Sequence, residues 1–203
     1  MLYGQKFSIK QEQRGFARII KEGYKAPYDR KKNVDEYIYI PEISSTETAF
    51  YIEPKSHELI VVARGSVTPE DWIVTDMFIA LTPFAFRMSP RYLRYKKEVY
   101  NAMKYFPKYD IILIGHSLGG HLSTTLWNEI HALDDDTRFI VYNRGSSPLE
   151  IFSESPINHE QRHHYHVHGD FLSDSFERDK KTKHILVEQK KSSNNKHTYT
   201  NFL

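Results

Sequence analysis

The chain has 203 residues, 39% of them hydrophobic and 27% charged, with a formal net charge of +2 and no cysteine. A chain of this length can bury one sizeable core, so a single domain over residues 1–203 is expected. The near-neutral balance excludes the broad basic field of a nucleic-acid binder, and the missing thiols exclude a disulfide framework and a thiolate metal site.

The first predicted element is a helix over residues 11–22, with Phe16, Ile19 and Ile20 on one face. Strands follow over 37–40, 48–52 and 58–63, separated by turns at 41–45 and 54–57. The most apolar stretch, 77–86, is interrupted by Thr82 and Pro83 and falls well short of the roughly 18 uninterrupted apolar residues of a membrane span. Residues 1–8 lack the apolar centre of a secretory signal, so a soluble, intracellular, cytoplasmic protein is expected.

A second helix, from about residue 91 to 106, carries Tyr92, Tyr95, Val99, Met103 and Phe106 at helical steps before Pro107 ends it. The apolar run 110–114 then reads as a buried strand, and Leu118, Leu122, Leu126, Ile130 and Leu133 recur at helical spacing behind it. Further strands are read at 138–142, 164–168 and 184–187, and residues 190–195 read as a polar loop. Strands alternating with helices imply an α/β fold: a mostly parallel central sheet with helices on both faces and ligands beyond the carboxyl ends of the strands.

Between the strand at 110–114 and its helix lies Gly115-His116-Ser117-Leu118-Gly119-Gly120, the sequence form of a strained strand-to-helix turn presenting a nucleophilic serine. The serine backbone is forced into a sparsely populated conformation there, and side chains two positions either way would collide, so Gly115 and Gly119 fit the demand. The same residues are also compatible with an ordinary tight turn in which Ser117 caps the helix.

A serine hydroxyl needs a base within hydrogen-bond reach and an acid behind the base, and in this turn type the chain order is serine, acid, histidine. The acid candidate is Asp170, just past the strand ending at His168, with Asp174 as the alternative acid. The base candidate is His197, with His184 as the alternative. The oxyanion needs backbone donors, and Leu118 N–H is one. The strand ending at Arg64-Gly65-Ser66 offers Ser66 as the other, unless Gly65-Ser66 only turns the chain into a following helix.

These motifs together resemble the class 3 lipase family of α/β-hydrolases, which includes fungal triacylglycerol lipases. The segment 61–66 followed by Asp71, Trp72 and Asp76 looks like the family's oxyanion strand and lid-proximal segment, 115–120 like its nucleophile box, and 142–148 like its later strand-loop. The resemblance runs from about Leu59 to the end of the chain and implies the set Ser117, His197 and Asp170, no cofactor, and a lipid or other acyl-ester substrate. Phe171 stands where many relatives have proline after the acid, and 87–90 replaces a His-Gly pair. The short chain without disulfides suits a compact intracellular or virus-encoded form.

Trp72, Phe78, Leu81 and Phe84 are candidates for acyl contact or a lid, with ordinary core as the alternative. His164, His166 and His168 share one strand face as metal ligands sometimes do, but no convincing partner completes a set and no metal is expected. The basic run 178–183 suits either transient contact with anionic headgroups at a membrane surface or a solvated loop. The function expected is a serine carboxylic-ester hydrolase, a lipase or phospholipase working through an acyl-enzyme. The alternative is a hydrolase-fold binding or structural module without activity. A thioesterase or peptidase would share the mechanism, and substrate preference and oligomeric state stay open.

Overall fold

The computed structural model describes residues 11–67, 83–130, 137–145, 162–167, 170, 183–189 and 195–203. Helix α1, Gln11–Gly23, buries Phe16, Ala17, Ile19 and Ile20, the apolar face that its periodicity predicts. Strands β1 (Asn33–Val34), β2 (Tyr37–Tyr39), β3 (Thr48–Glu53) and β4 (Glu58–Ala63) follow as an antiparallel series. Only a short turn links β3 to β4, and a parallel pairing needs a crossover of a dozen residues or more, so this half of the sheet runs up and down.

Helix α2, Pro83–Arg87, leads into α3, Pro90–Tyr105. The start of α3 is set by Ser89, whose side chain accepts the Tyr92 N–H, with Pro90 in the first turn. Strand β5 (Asp110–Ser117) passes directly into α4 (Leu118–Ile130), and β6 (Arg138–Arg144), β7 (Arg162–Val167) and β8 (Lys183–Val187) complete the sheet. The order is β1 through β8 in sequence, and every pairing from β4 onward is parallel. A 3-10 turn, Tyr199–Phe202, ends the described chain with Phe202 fully buried.

Alternation along the central strands feeds two cores. Ile60, Val62, Ile112 and Ile114 pack with α1, Tyr142, Tyr165 and Phe202 on one face. Leu59, Val61, Ile111 and Leu113 pack with Tyr95 and Val99 of α3 and Leu122 and Leu126 of α4 on the other. Helices therefore cover both faces of a mostly parallel sheet, as expected. Among the differences from the sequence expectation, β1 is a two-residue strand too short to carry a pattern, α2 overlaps the end of the stretch 77–86 read only as apolar, and β7 starts at Arg162. The Arg162 guanidinium is buried over the Trp127 and Phe139 rings, 5.1 and 5.3 Å from their centroids, where the stacking suits a weakly hydrated planar cation. Among the described residues no helix is long and apolar enough to cross a membrane.

Candidate active site

No residue separates β5 from α4, so the chain reverses at Ser117, whose φ is 55°. That left-handed backbone is rare for a residue with a Cβ and lifts the side chain to the carboxyl end of the central strand. Its cost in space falls on the neighbouring glycines. A Cβ on Gly115 would stand 2.3 Å from the Gly119 carbonyl carbon, and one on Gly119 only 2.0 Å from the Ala63 carbonyl oxygen in β4. Both contacts are with backbone, which cannot swing away.

Three residues from separate parts of the chain meet at this turn. His197 Nε2 lies 2.8 Å from the Ser117 hydroxyl oxygen, and His197 Nδ1 lies 3.0 and 2.9 Å from the two oxygens of Asp170. An ionised carboxylate only accepts, so Nδ1 carries the proton, and the neutral ring presents the Nε2 lone pair to the serine O–H. Asp170 is buried, and its N–H donates to the Val167 carbonyl at 3.0 Å, which ties the carboxylate to the end of β7. The carboxylate at the ring is thus that of Asp170; the alternative, Asp174, lies outside the described residues. His184, the alternative base, sits in β8 opposite His164.

Beneath the serine runs a second polar chain. The Tyr24 hydroxyl packs against Gly65 and lies 2.9 Å from His116 Nδ1. His116 Nε2 lies 3.0 Å from the His197 carbonyl oxygen, which can only accept, so Nε2 carries the proton and Nδ1 accepts from the tyrosine. Burial, reinforced by the nearby His197, lowers the His116 pKa to about 3, while burial raises that of Tyr24. Tyr199 stacks on Tyr24 at 5.1 Å between ring centroids. In the sequence His116 stood only for a turn position and Tyr24 for nothing. Their contact spans 92 residues, and no local period reports it.

The oxyanion candidates flank this chain. Leu118 opens α4, where a first-turn N–H has no intrahelical acceptor. Gly65 packs so closely that a Cβ would stand 2.3 Å from the Tyr24 hydroxyl and 2.8 Å from the His116 carbonyl oxygen, which brings the loop carrying half-buried Ser66 against the turn at Ser117. That loop is fixed from outside: Arg64 N–H donates to the Glu47 carbonyl at 3.0 Å, and Arg91 donates to the Arg64 carbonyl at 2.9 Å and pairs with the Glu47 carboxylate.

The other side of the site is built by the end of β6. Gly145 N–H donates to the Ser117 carbonyl at 3.1 Å. His116 pairs with Tyr142 but Ser117 with Arg144, so Asn143 is one extra residue in the strand, with φ 40°. In the sequence Asn143 is one residue of the segment 142–148, with no role of its own. A bulge is set by the register of the partner strand, which periodicity does not carry.

Of the acyl-contact or lid candidates, Trp72, Phe78 and Leu81 lie outside the described residues and Phe84 falls in α2. Phe86, in the same apolar stretch, is core, packed edge-on to His121 at 4.3 Å. His164 is buried and its Nε2 accepts the Arg144 N–H at 3.1 Å; among the described residues no group of three or more potential ligands gathers for a metal ion.

No family profile and no curated protein sequence matches the chain. Among solved structures, it is similar to the Lip2 lipase from Yarrowia lipolytica, with a TM-score of 0.57 at 15% identity over 88% of this chain and 82% of that one. Nonglycosylated LIP2 lipase from the same yeast gives 0.56 at 14% identity, over 92% and 84%. Rhizomucor miehei triacylglyceride lipase gives 0.52 at 13% identity, over 81% and 74%. The chain has the α/β-hydrolase fold, and its likeness to these fungal lipases is a likeness of that fold.

Proposed function

We propose that the protein is a serine carboxylic-ester hydrolase acting on acyl esters of lipids. The observation that carries this reading is the position of the His197 ring, 2.8 Å from the Ser117 oxygen on one side and 2.9 Å from Asp170 on the other. In the proposed reaction Ser117 Oγ attacks the ester carbonyl as His197 Nε2 takes its proton. The Leu118 and Ser66 N–H groups hold the developing oxyanion. His197 then gives its proton to the departing alcohol, leaving Ser117 acylated. Water attacks the acyl-enzyme with His197 as base, releasing the acid and restoring the hydroxyl, while Asp170 keeps the ring in its working tautomer and steadies its charged form.

The lipid part of the proposal draws on the fold shared with lipases, and it includes transient contact with a membrane or lipid surface. Turnover of p-nitrophenyl acyl esters by the wild-type chain, lost in a folded Ser117→Ala, is the expected result. Equal turnover by both would remove Ser117 from the chemistry, and no turnover by either would favour a binding module. Comparing emulsified triacylglycerol, phospholipid vesicles and acyl thioesters as substrates then separates lipase, phospholipase and thioesterase.

A further inference from the structure

We propose that Asn143 is the positioning residue that holds the acid and the base of the site in register, an inference that rests on the hydrolase reading above. It is fully buried and is the extra residue of the β6 bulge, with a φ of 40° that favours glycine but that asparagine tolerates better than most. Bulges in parallel pairs are rare, and their usual effect is to re-aim a side chain.

Here the amide is aimed at both arms of the site. Its Oδ1 accepts the Val167 N–H at 3.0 Å, and its Nδ2 donates to the Lys196 carbonyl at 2.7 Å. The Val167 carbonyl in turn accepts the Asp170 N–H at 3.0 Å, so the carboxylate hangs one tight turn from the amide. Lys196 is joined directly to His197. One planar group therefore sets the spacing between the acid-bearing end of β7 and the base-bearing loop. Two residues on, Gly145 N–H bonds the Ser117 carbonyl, so the end of β6 touches all three arms.

This is positioning rather than support of the fold. The base loop has other anchors: Asn201 Nδ2 donates to the Asn195 and Lys196 carbonyls at 3.1 Å each, and His116 Nε2 donates to the His197 carbonyl at 3.0 Å. The loop stays attached to the C-terminal turn when the Asn143 amide is removed; what is lost is its fixed distance from β7. Reacting groups misplaced by about 1 Å can lose on the order of 100-fold in rate.

The test uses Asn143→Gly, which accepts the positive φ and deletes the amide, and Asn143→Asp, which keeps the acceptor for Val167 and, at a pH where its carboxyl is ionised, has no donor for Lys196. In both, kcat on a soluble p-nitrophenyl ester should fall about 10- to 100-fold with KM changed by less than about 3-fold. The NMR signal of the proton shared by His197 Nδ1 and Asp170, assigned by its loss in His197→Ala, should weaken or vanish while both variants keep a cooperative thermal transition, its midpoint lowered by the buried groups left unpaired. Unchanged kcat with an intact signal would overturn the proposal. So would failure of both variants to fold, which would make Asn143 a residue of the fold; if only the glycine variant fails, the aspartate variant decides. If the wild type has no esterase activity, the hydrolase reading fails by itself, and the His197 proton signal still decides whether Asn143 sets that geometry.

Discussion

The Nε2–H of His116 donates to the main-chain carbonyl of His197 at 3.0 Å, so the residue beside the serine in sequence holds the backbone of the residue beside it in space. In the neutral ring Nε2 carries the proton for this bond and Nδ1 accepts from Tyr24; protonation would remove the second of these. Unfolded, this ring titrates near 6.5; folded, burial holds it near 3. Between those values the unfolded chain binds the extra proton, so the contribution to stability is fully present above 6.5 and is lost as pH falls toward 3. His116→Gln should therefore destabilise the protein more at about pH 7.5 than at about pH 4.5. Urea midpoints at the two values measure this; an equal difference at both would show that the ring is not held neutral.

The close approach of α4 to β4 makes a sharp distinction between adjacent glycines. A Cβ on Gly119 would stand 2.0 Å from the Ala63 carbonyl oxygen, whereas one on Gly120 would stand 3.3 Å from Arg144 Cα. Gly119→Ala should cost at least about 3 kcal/mol or prevent folding, because backbone must move to admit it. Gly120→Ala should lie within about 1 kcal/mol of wild type, as alanine's helix propensity offsets the tighter contact. Thermal unfolding of the pair is the measurement, and similar losses in both would refute the steric assignment.

Strain at Ser117 predicts a stability difference between two variants without its hydroxyl. Both Ser117→Ala and Ser117→Gly lose the hydroxyl that meets His197, but only glycine relieves the φ of 55°. The glycine variant should be more stable than the alanine variant by about 1 kcal/mol. Chemical denaturation of both would show it, and an alanine variant at least as stable would mean that the turn carries no strain.

Asp170→Asn tests the tautomer. The amide can donate to His197 Nδ1 and so turn the ring's proton toward Ser117, which should lower kcat by about 10³- to 10⁴-fold with little change in KM. A loss below about 10-fold would remove Asp170 from the working site.

The parts of this structure legible in sequence are those with local causes. Strands β4 and β5 and helix α4 show in apolar runs and helical spacing, and the turn at Ser117 shows in its glycines, because backbone collisions within a few residues demand them. Asp170 and His197 were readable only as candidates by chain order, since their meeting depends on where β7 and the C-terminal turn end. Tyr24 gave no sign, because its partners are Gly65 and His116 and its own surroundings look like the fraying end of α1. Asn143 gave none either, because a bulge is a mismatch between two strands and neither contains it alone.

The most direct test of a reactive Ser117 is covalent labelling of the intact protein with a fluorophosphonate, followed by peptide mapping. One label is expected, on Ser117, formed slowly or not at all in His197→Ala and Asp170→Asn. A wild-type chain that stays unlabelled, or one labelled at a different residue, would contradict it.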